Sequence, residues 1–506
     1  MFFPRIRSKT VLISLTISIV LTVLSVILII RVFPDLIKNE IFKNVRLIRG
    51  TEQYDRFLEI PFPVSFKVFV FNVENPNEII SGQKPVVKEI GPFVYKLHWT
   101  KLVHGTNEDD DTISYIDQQI YEFDSEASGN LSDTNYVTVA NPVMLGILQL
   151  SEKFGQAHTV SNCLTDILDN INTLFINVKV KDLLFDGLKF CPRHLSLCEL
   201  PKNIVCKMAA QKKNMDKLED DSLQFSFFNY KNKSHETLYT ITRGIKDVLT
   251  LGQTVTIDNS PYTQFWNKLH KNSTCDLVKG SYISLYPPQI SEESTFKIYS
   301  TDVCRSVEIN FLKEKYYKGI KGYMFAPNNS SLRSKFANKV EDCFCAEQTL
   351  GTHGENTCFL DGVLDMQPCS GAPALLSFPH FLWADKIYLD GVNGLSPNEA
   401  IHKTYLLVEP ETGTPLEGRT RMQINFILRP IEHIKFMQSL PRVVLPVLWV
   451  EEGVNLTDEY VTKLQESFFD TVKIVNIVQW VLLAGSLILT IAFGVYFFRK
   501  QFSDQP

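Results

Sequence analysis

Two apolar runs, one near each end of the 506-residue chain, limit what it can fold into more than anything between them. Val11–Ile30 is 20 residues without a charge. At a helical rise of about 1.5 Å per residue it reaches roughly 30 Å, the thickness of a bilayer's hydrocarbon core. The run continues into Arg31, Val32, Phe33 and Pro34 with no small-residue cleavage site, so it reads as an uncleaved anchor rather than a signal peptide. The second run, Ile474–Phe498, carries Gln479 and Trp480 near its start, as an interfacial end does, and closes on Arg499 and Lys500. Residues 11–30 and 474–498 are therefore expected to be transmembrane helices, with 1–10 and 499–506 as tails. Arg5, Arg7 and Lys9 precede the first, so the positive-inside rule places both tails in the cytoplasm and residues 31–473 outside. Ser14, Ser18, Thr22 and Ser25 fall on one face of the first helix, where they either permit close helix packing or bond back to its own carbonyls.

With 44% apolar residues, 11% aromatics and 21% charged residues, the chain can bury a substantial core. Its formal charge of −5 gives no reason to expect a nucleic-acid partner. All ten cysteines lie in the outer segment: Cys163, Cys191, Cys198, Cys206, Cys275, Cys304, Cys343, Cys345, Cys358 and Cys369. Their nearest spacings, Cys343-x-Cys345 and Cys191-x6-Cys198, lack the close C-x2-C pairs of a zinc site. Structural disulfides in an oxidising compartment are expected, with connectivity left open by the spacing. Sequons at Asn130, Asn232, Asn272, Asn328, Asn329 and Asn455 fall in the same segment, as glycosylation on the outer side requires.

Val64–Val73 is β-branched and aromatic and stops at Asn75-Pro76, which predicts a strand followed by a turn. A second strand is expected at Pro85–Lys96, interrupted by Gly91-Pro92. Tyr405–Glu409 and Thr420–Leu428 flank the turn-rich Pro410–Gly418. Arg421, Gln423 and Asn425 alternate with apolar neighbours there, predicting a hairpin with one face in water. Between these regions Leu145, Leu148, Leu164, Ile167, Leu168, Ile171, Leu174 and Phe175 recur at threes and fours, predicting a helical insertion over Pro142–Phe190. Glu108–Asp111 is expected as a solvated loop, since aspartates in a row cannot all aim at one ion. The chain has no G-x-S-x-G, Walker loop, G-x-G-x-x-G or H-E-x-x-H. His235-Glu236 lacks a second histidine, and His353-Gly354-Glu355 reads as part of a disulfide-tied loop. Neither an enzymatic activity nor a cofactor is expected.

Phe71-Asn72-Val73-Glu74-Asn75-Pro76, Glu89-Ile90-Gly91-Pro92-Phe93-Val94-Tyr95 and the two-anchor layout resemble the class B scavenger receptors nearly end to end. Asp302–Ser306, Gly371–Pro373, Ser377-Phe378-Pro379-His380-Phe381-Leu382 and Glu409–Gly413 look like the same family's signatures in the expected order. Within that family, Glu59–Phe71 and Lys84–Pro92 most resemble the insect sensory neuron membrane proteins, their second type in particular. The resemblance implies an α+β, two-pass membrane protein with a large antiparallel β-barrel-like ectodomain, an apical helical bundle at residues 142–190 and an internal lipid tunnel. It also implies the disulfides Cys275–Cys343, Cys304–Cys369 and Cys345–Cys358. The remaining four cysteines are then extra, with Cys191–Cys198 and Cys163–Cys206 as the expected further links.

The implied function is that of a lipid-transfer co-receptor, which delivers a lipid or pheromone-like hydrophobic ligand to the bilayer or to an odorant receptor complex beside it. The competing reading within the family is a scavenger, phagocytic or lipid-uptake receptor. Neither tail offers an acidic dileucine-type signal or a cysteine for palmitoylation, which favours the plasma membrane. Leu174, Phe175, Lys179, Lys181 and Lys189 are the candidates for the ligand's entrance. Fatty-acid-binding relatives carry lysines in the turn before the motif resembling Leu174–Leu184, where this chain has Asp166 and Asp169. The departure points to an uncharged long-chain lipid.

Overall fold

The computed structural model describes residues 8–193, 197–233, 237–266, 274–282 and 284–503. Two units result, Met1–Arg46 with Leu456–Pro506, and Leu47–Asn455.

In the first unit both apolar runs are helical and longer than their apolar parts. Ser8–Ile27 continues through a π-helical turn, Leu28–Val32, into Phe33–Asn44; Asp458–Leu464 continues through Gln465–Phe469 into Asp470–Ser503. Ile13, Ile17, Val23, Val481 and Ile488 are exposed, as in helices made to be solvated by lipid. The two helices pack on each other through small polar residues. Ser18 and Ser486 are buried, the Thr22 and Thr490 hydroxyls lie 3.2 Å apart, and Leu15 packs beside Gly494. Ser18, Thr22 and Ser25 also donate to the carbonyls of Leu15, Ser18 and Leu21, so Ser18 and Thr22 do both things expected of them.

The second unit is built on one sheet. Among the described residues it has fourteen strands, and twelve of them close into a ring. In chain order these are β1 (Val64–Val73), β2 (Val87–Asn107), β3 (Thr112–Phe123), β4 (Leu238–Thr242), β5 (Gln253–Ile257), β6 (Gly280–Ser281), β7 (Thr295–Ser300), β8 (Arg305–Tyr317), β9 (Ile320–Ala326), β10 (Tyr405–Val408), β11 (Pro415–Leu428) and β12 (Val443–Asn455). Each of β1 to β11 lies beside its chain neighbour, and β12 closes the ring by pairing with β11 on one edge and β1 on the other. Closure removes the exposed edges that an open sheet would leave for other chains to pair with.

Alternation along the strands fixes which side chains point into the ring. In β3, Ile120 and Glu122 are exposed while Tyr115, Asp117 and Gln119 are buried. Register carries the inward set across: Tyr121 pairs with Leu97, Leu97 with Val64, Tyr95 with Phe66, and Phe66 with Glu452. Phe66 then meets Tyr95, Tyr121 and Phe228 in edge-to-face contacts.

Two insertions interrupt the meander. Between β3 and β4, helices cover Pro142–Lys153, Ala157–Ser161, Leu164–Leu168 and Glu199–Ala209. Asn141 starts the first of them, its side-chain oxygen accepting from the amides of Val143 and Met144, with Pro142 at the position that needs no donor. The helical expectation for Pro142–Phe190 holds to Ile171 and again at the π-helical turn Asp182–Asp186, with strands beside that turn. Phe175–Lys179 is a strand paired with Tyr136–Ala140, because Ile176 is buried and Asn177 exposed in a period of two, and Leu188–Phe190 is a strand as well.

Between β9 and β10, Leu375–Ser377 pairs with β11, and the segment Phe378–His402 covers the outer face of β11 and β12. That cover corrects the hairpin's expected wet face. Gln423 and Asn425 are fully buried and Arg421 nearly so. The amides of Gln423 and Asn425 bond Ser377 and the Leu375 carbonyl, and Arg421 donates to Glu451 at 2.7 Å. Their polarity is satisfied by protein rather than by water. The loop Glu108–Asp111 also departs in part: Asp111 is buried and Arg243 bridges it to Glu108.

Five disulfides use all ten cysteines. Cys275–Cys343 and Cys304–Cys369 tie the second insertion to the segments just before β6 and β8, and Cys345–Cys358 closes a loop within it. The first four pair as Cys163–Cys198 and Cys191–Cys206, not as Cys191–Cys198 and Cys163–Cys206. Cys198 caps the helix Glu199–Ala209 and Cys206 lies about 12 Å along it. Each therefore staples a different end of that helix, one to Cys163 beside Leu164–Leu168 and one to Cys191 after Leu188–Phe190.

Candidate functional site

A cavity of about 180 Å³ lies between the helices Pro142–Lys153 and Glu199–Ala209 and the end of β11. Val143, Ile147, Ile204, Met208, Phe190 and Phe426 supply an almost wholly apolar wall. Lys212 stands at its rim, its ammonium against Gly371. Gly371 is left-handed, and a Cβ there would fall 2.6 Å from the Lys212 nitrogen. Lys212 forms no ion pair with any described residue, and nothing in the sequence pattern singled it out. An apolar cavity of about 150 Å³ holds one benzene-sized group. Burial of about six methylenes offers roughly 5 kcal/mol, or sub-millimolar affinity. A tighter ligand has to be buried along more of its length than this cavity provides.

None of the sequence-derived entrance candidates lines that cavity. Leu174 is buried and Phe175 partly so, at the start of the strand Phe175–Lys179. Lys179 lies over the Tyr136 ring at 5.9 Å, Lys181 pairs with Asp186 at 2.7 Å, and Lys189 pairs with Asp220 at 2.5 Å. The five are not brought together into one site, and the three lysines are occupied.

Inside the ring the lining is partly polar. Lys101 of β2 sits directly opposite Asp117 of β3, 3.8 Å away, within 6 Å of the Phe57, Trp99, Tyr115 and Tyr282 rings. Burial pulls its pKa down, and Asp117 opposes that pull. Trp99 and Tyr282 donate to Asp117. Farther round, Lys231 pairs with Asp302 at 2.5 Å, near Tyr121, Tyr230 and Glu452. Glu452, facing the interior of the ring, partly buried and without a hydrogen bond from any described residue, has its carboxyl pushed up to about 7 by desolvation. Along β11 the inward Met422 and Ile424 are partly accessible while the outward Gln423 and Asn425 are fully covered.

On the outer face, two sequence motifs meet. The Glu89 carboxylate accepts from His380 and Trp449, each at 2.6 Å, while His402 stacks on His380 with ring centroids 4.4 Å apart. These bonds outweigh desolvation and hold Glu89 below the usual carboxylate range. His402, buried and beside His380, is lowered to about 4. This cluster joins β2, β12 and the Phe378–His402 segment. Of the sequons, Asn130, Asn328, Asn329 and Asn455 are exposed, and Asn232 is half-buried with its side-chain oxygen accepting from the Tyr121 amide. Asn272 lies outside the described residues, as do His235, Glu236, Arg5 and Arg7.

The family model of the CD36 family matches residues 16–497. The chain belongs to the CD36 family, the class B scavenger receptors. Curated CD36-family relatives include sensory neuron membrane protein 2 of Heliothis virescens, 32% identical over 95% of this chain and 92% of the relative. Sensory neuron membrane protein 2 of Drosophila melanogaster is 28% identical over 93% and 94%. Sensory neuron membrane protein 1 of Manduca sexta is 31% identical over 93% and 87%. With two apolar helices near its termini, this CD36-family chain is a two-pass membrane protein of a receptor family.

Proposed function

We propose that this chain is a lipid-transfer co-receptor of sensory cells. It captures a long-chain, uncharged, pheromone-like ligand at the apolar cavity and passes it through the interior of the ring to the membrane or to an adjacent odorant receptor. In this reading residues 31–473 are extracellular and glycosylated, both tails are cytoplasmic, and no bond in the ligand is broken. One observation carries it: the reversed burial along β11, where inward Met422 and Ile424 are only partly covered and outward Gln423 and Asn425 are sealed. A packed barrel buries its inward apolar residues first, so the reversal supports a hollow interior. The cavity wall reaches Phe426 of the same strand.

The uncharged ligand is supported by the occupied Lys179, Lys181 and Lys189 and by Asp166 and Asp169, which stand where fatty-acid-binding relatives carry lysines. Lys212 favours the second reading, an anionic amphiphile whose carboxylate meets that ammonium. The test is binding of a long-chain fatty acid and its methyl ester to the full chain, native and Lys212→Met. Equal or tighter binding of the ester supports the uncharged ligand. An acid that binds at least tenfold tighter, with the advantage lost in Lys212→Met, selects the anionic one. Confinement of the transcript to sensory tissue supports the co-receptor role, while strong expression in gut or haemocytes favours uptake or scavenging.

A further inference from the structure

We propose that Glu452 marks a head-group site inside the ring, hydrogen-bonding the carbonyl or hydroxyl end of an uncharged long-chain lipid whose tail runs along β11 to the cavity at Phe426. The inference rests on the transfer reading above and narrows its ligand to lipids with an uncharged polar end.

Glu452 faces inward by register, opposite Phe66 on β1 and opposite Thr420 on β11. From Thr420 the inward positions of β11 run Met422, Ile424 and Phe426, and Phe426 is in the cavity wall. Six residues of strand span about 20 Å, comparable with one bilayer leaflet of about 15 Å. A single extended lipid chain therefore joins the two ends. Between them Met422 and Ile424 are partly accessible, so the path is apolar and not fully filled by side chains.

At the Glu452 end the charges already balance without it. Lys231 pairs with Asp302, and the next acid on β3, Asp117, pairs with Lys101. Tyr121 also lies near the carboxyl, and Tyr230 lies by Lys231 and Asp302. Glu452 is the surplus acid, and desolvation raises its carboxyl to about 7, so that it is protonated below that pH and ionised above it. A neutral carboxyl in a desolvated site has one O–H that needs an acceptor. An ester, aldehyde or alcohol oxygen supplies one. A hydrocarbon supplies none, and a carboxylate brings a second negative charge to a place with no spare cation among the described residues.

The full chain in lipid nanodiscs is labelled by a photoreactive long-chain acetate, and hexadecyl acetate, hexadecanol and hexadecane compete. Potencies are taken as variant-to-native ratios, so that partitioning into the disc cancels. Glu452→Leu is expected to weaken the acetate and the alcohol about tenfold and to leave hexadecane within about twofold. Glu452→Gln is expected to keep native potency at low pH and to lack the weakening that the native chain undergoes as pH rises through about 7. Equal weakening of all three competitors, or an unchanged acetate in Glu452→Leu, overturns the head-group site while the transfer reading stands. A native chain that none of the three competes for overturns the transfer reading itself.

Discussion

Glu89 and His380 lie in sequence motifs that identify the family without giving a reason for their presence, and the structure supplies one. Glu89 holds two buried donors on the outer face of the sheet, one from β12 and one from the segment that covers it, so Glu89→Ala leaves the His380 and Trp449 N–H groups without an acceptor. We expect a loss of about 2–4 kcal/mol, which denaturant unfolding of the full chain measures against the native protein. His402 sets a pH dependence. The folded protein keeps it neutral down to about 4, whereas the unfolded chain takes up the proton near the ordinary histidine value of 6.5. Between those values the unfolded state binds more protons. The stability it contributes is therefore intact above 6.5 and lost as the pH falls toward 4. Thermal unfolding of His402→Phe is expected to show a smaller fall in Tm than native across that window, and an equal fall contradicts the assignment. Single residues were the least legible level in the sequence. Lys212, Lys101 and Glu452 carry no local pattern and gain their meaning only from strands and loops brought together over long separations.

Elements were legible where one period dominated. Val64–Val73 is a strand at the expected ends, and the helices through Leu168 follow their threes and fours. The hairpin around Pro410–Gly418 was legible as a hairpin, but its polar face was not legible as buried, because alternation reports that one face differs and not what covers it. The three pairings implied by the resemblance held, while the pairing expected for the first four cysteines failed for a related reason. Cys198 and Cys206 share a helix that their spacing does not announce, and each binds a partner outside it. The Cys191–Cys206 bridge spans 15 residues, for which the chain-entropy model gives about 3 kcal/mol. Replacing both cysteines by serine is expected to free the C-terminal end of the helix Glu199–Ala209. Hydrogen exchange there should quicken, while exchange in β1, β2 and β12 stays native.

At the scale of the whole molecule, the anchors and the disulfide-bonded β-rich segment were readable from hydropathy and cysteine placement. The barrel was expected from the family resemblance alone, and its closure was not readable from the strands themselves. It depends on β12 reaching back to β1 across most of the chain, and a non-local pairing of that kind leaves no signature in either strand. Nor was the polar interior, since inward Lys101, Asp117 and Glu452 look like the wet positions of any alternating strand. The central claim is that this ring is hollow and takes a lipid inside it. The most direct measurement is mass-spectrometric mapping of a photoreactive long-chain acetate cross-linked to the full chain in nanodiscs. We predict label on the inward residues Met422, Ile424 and Phe426, competed away by unlabelled ester. Label confined to exposed apolar residues such as Leu200 and Tyr136, with none on β11, would contradict the account.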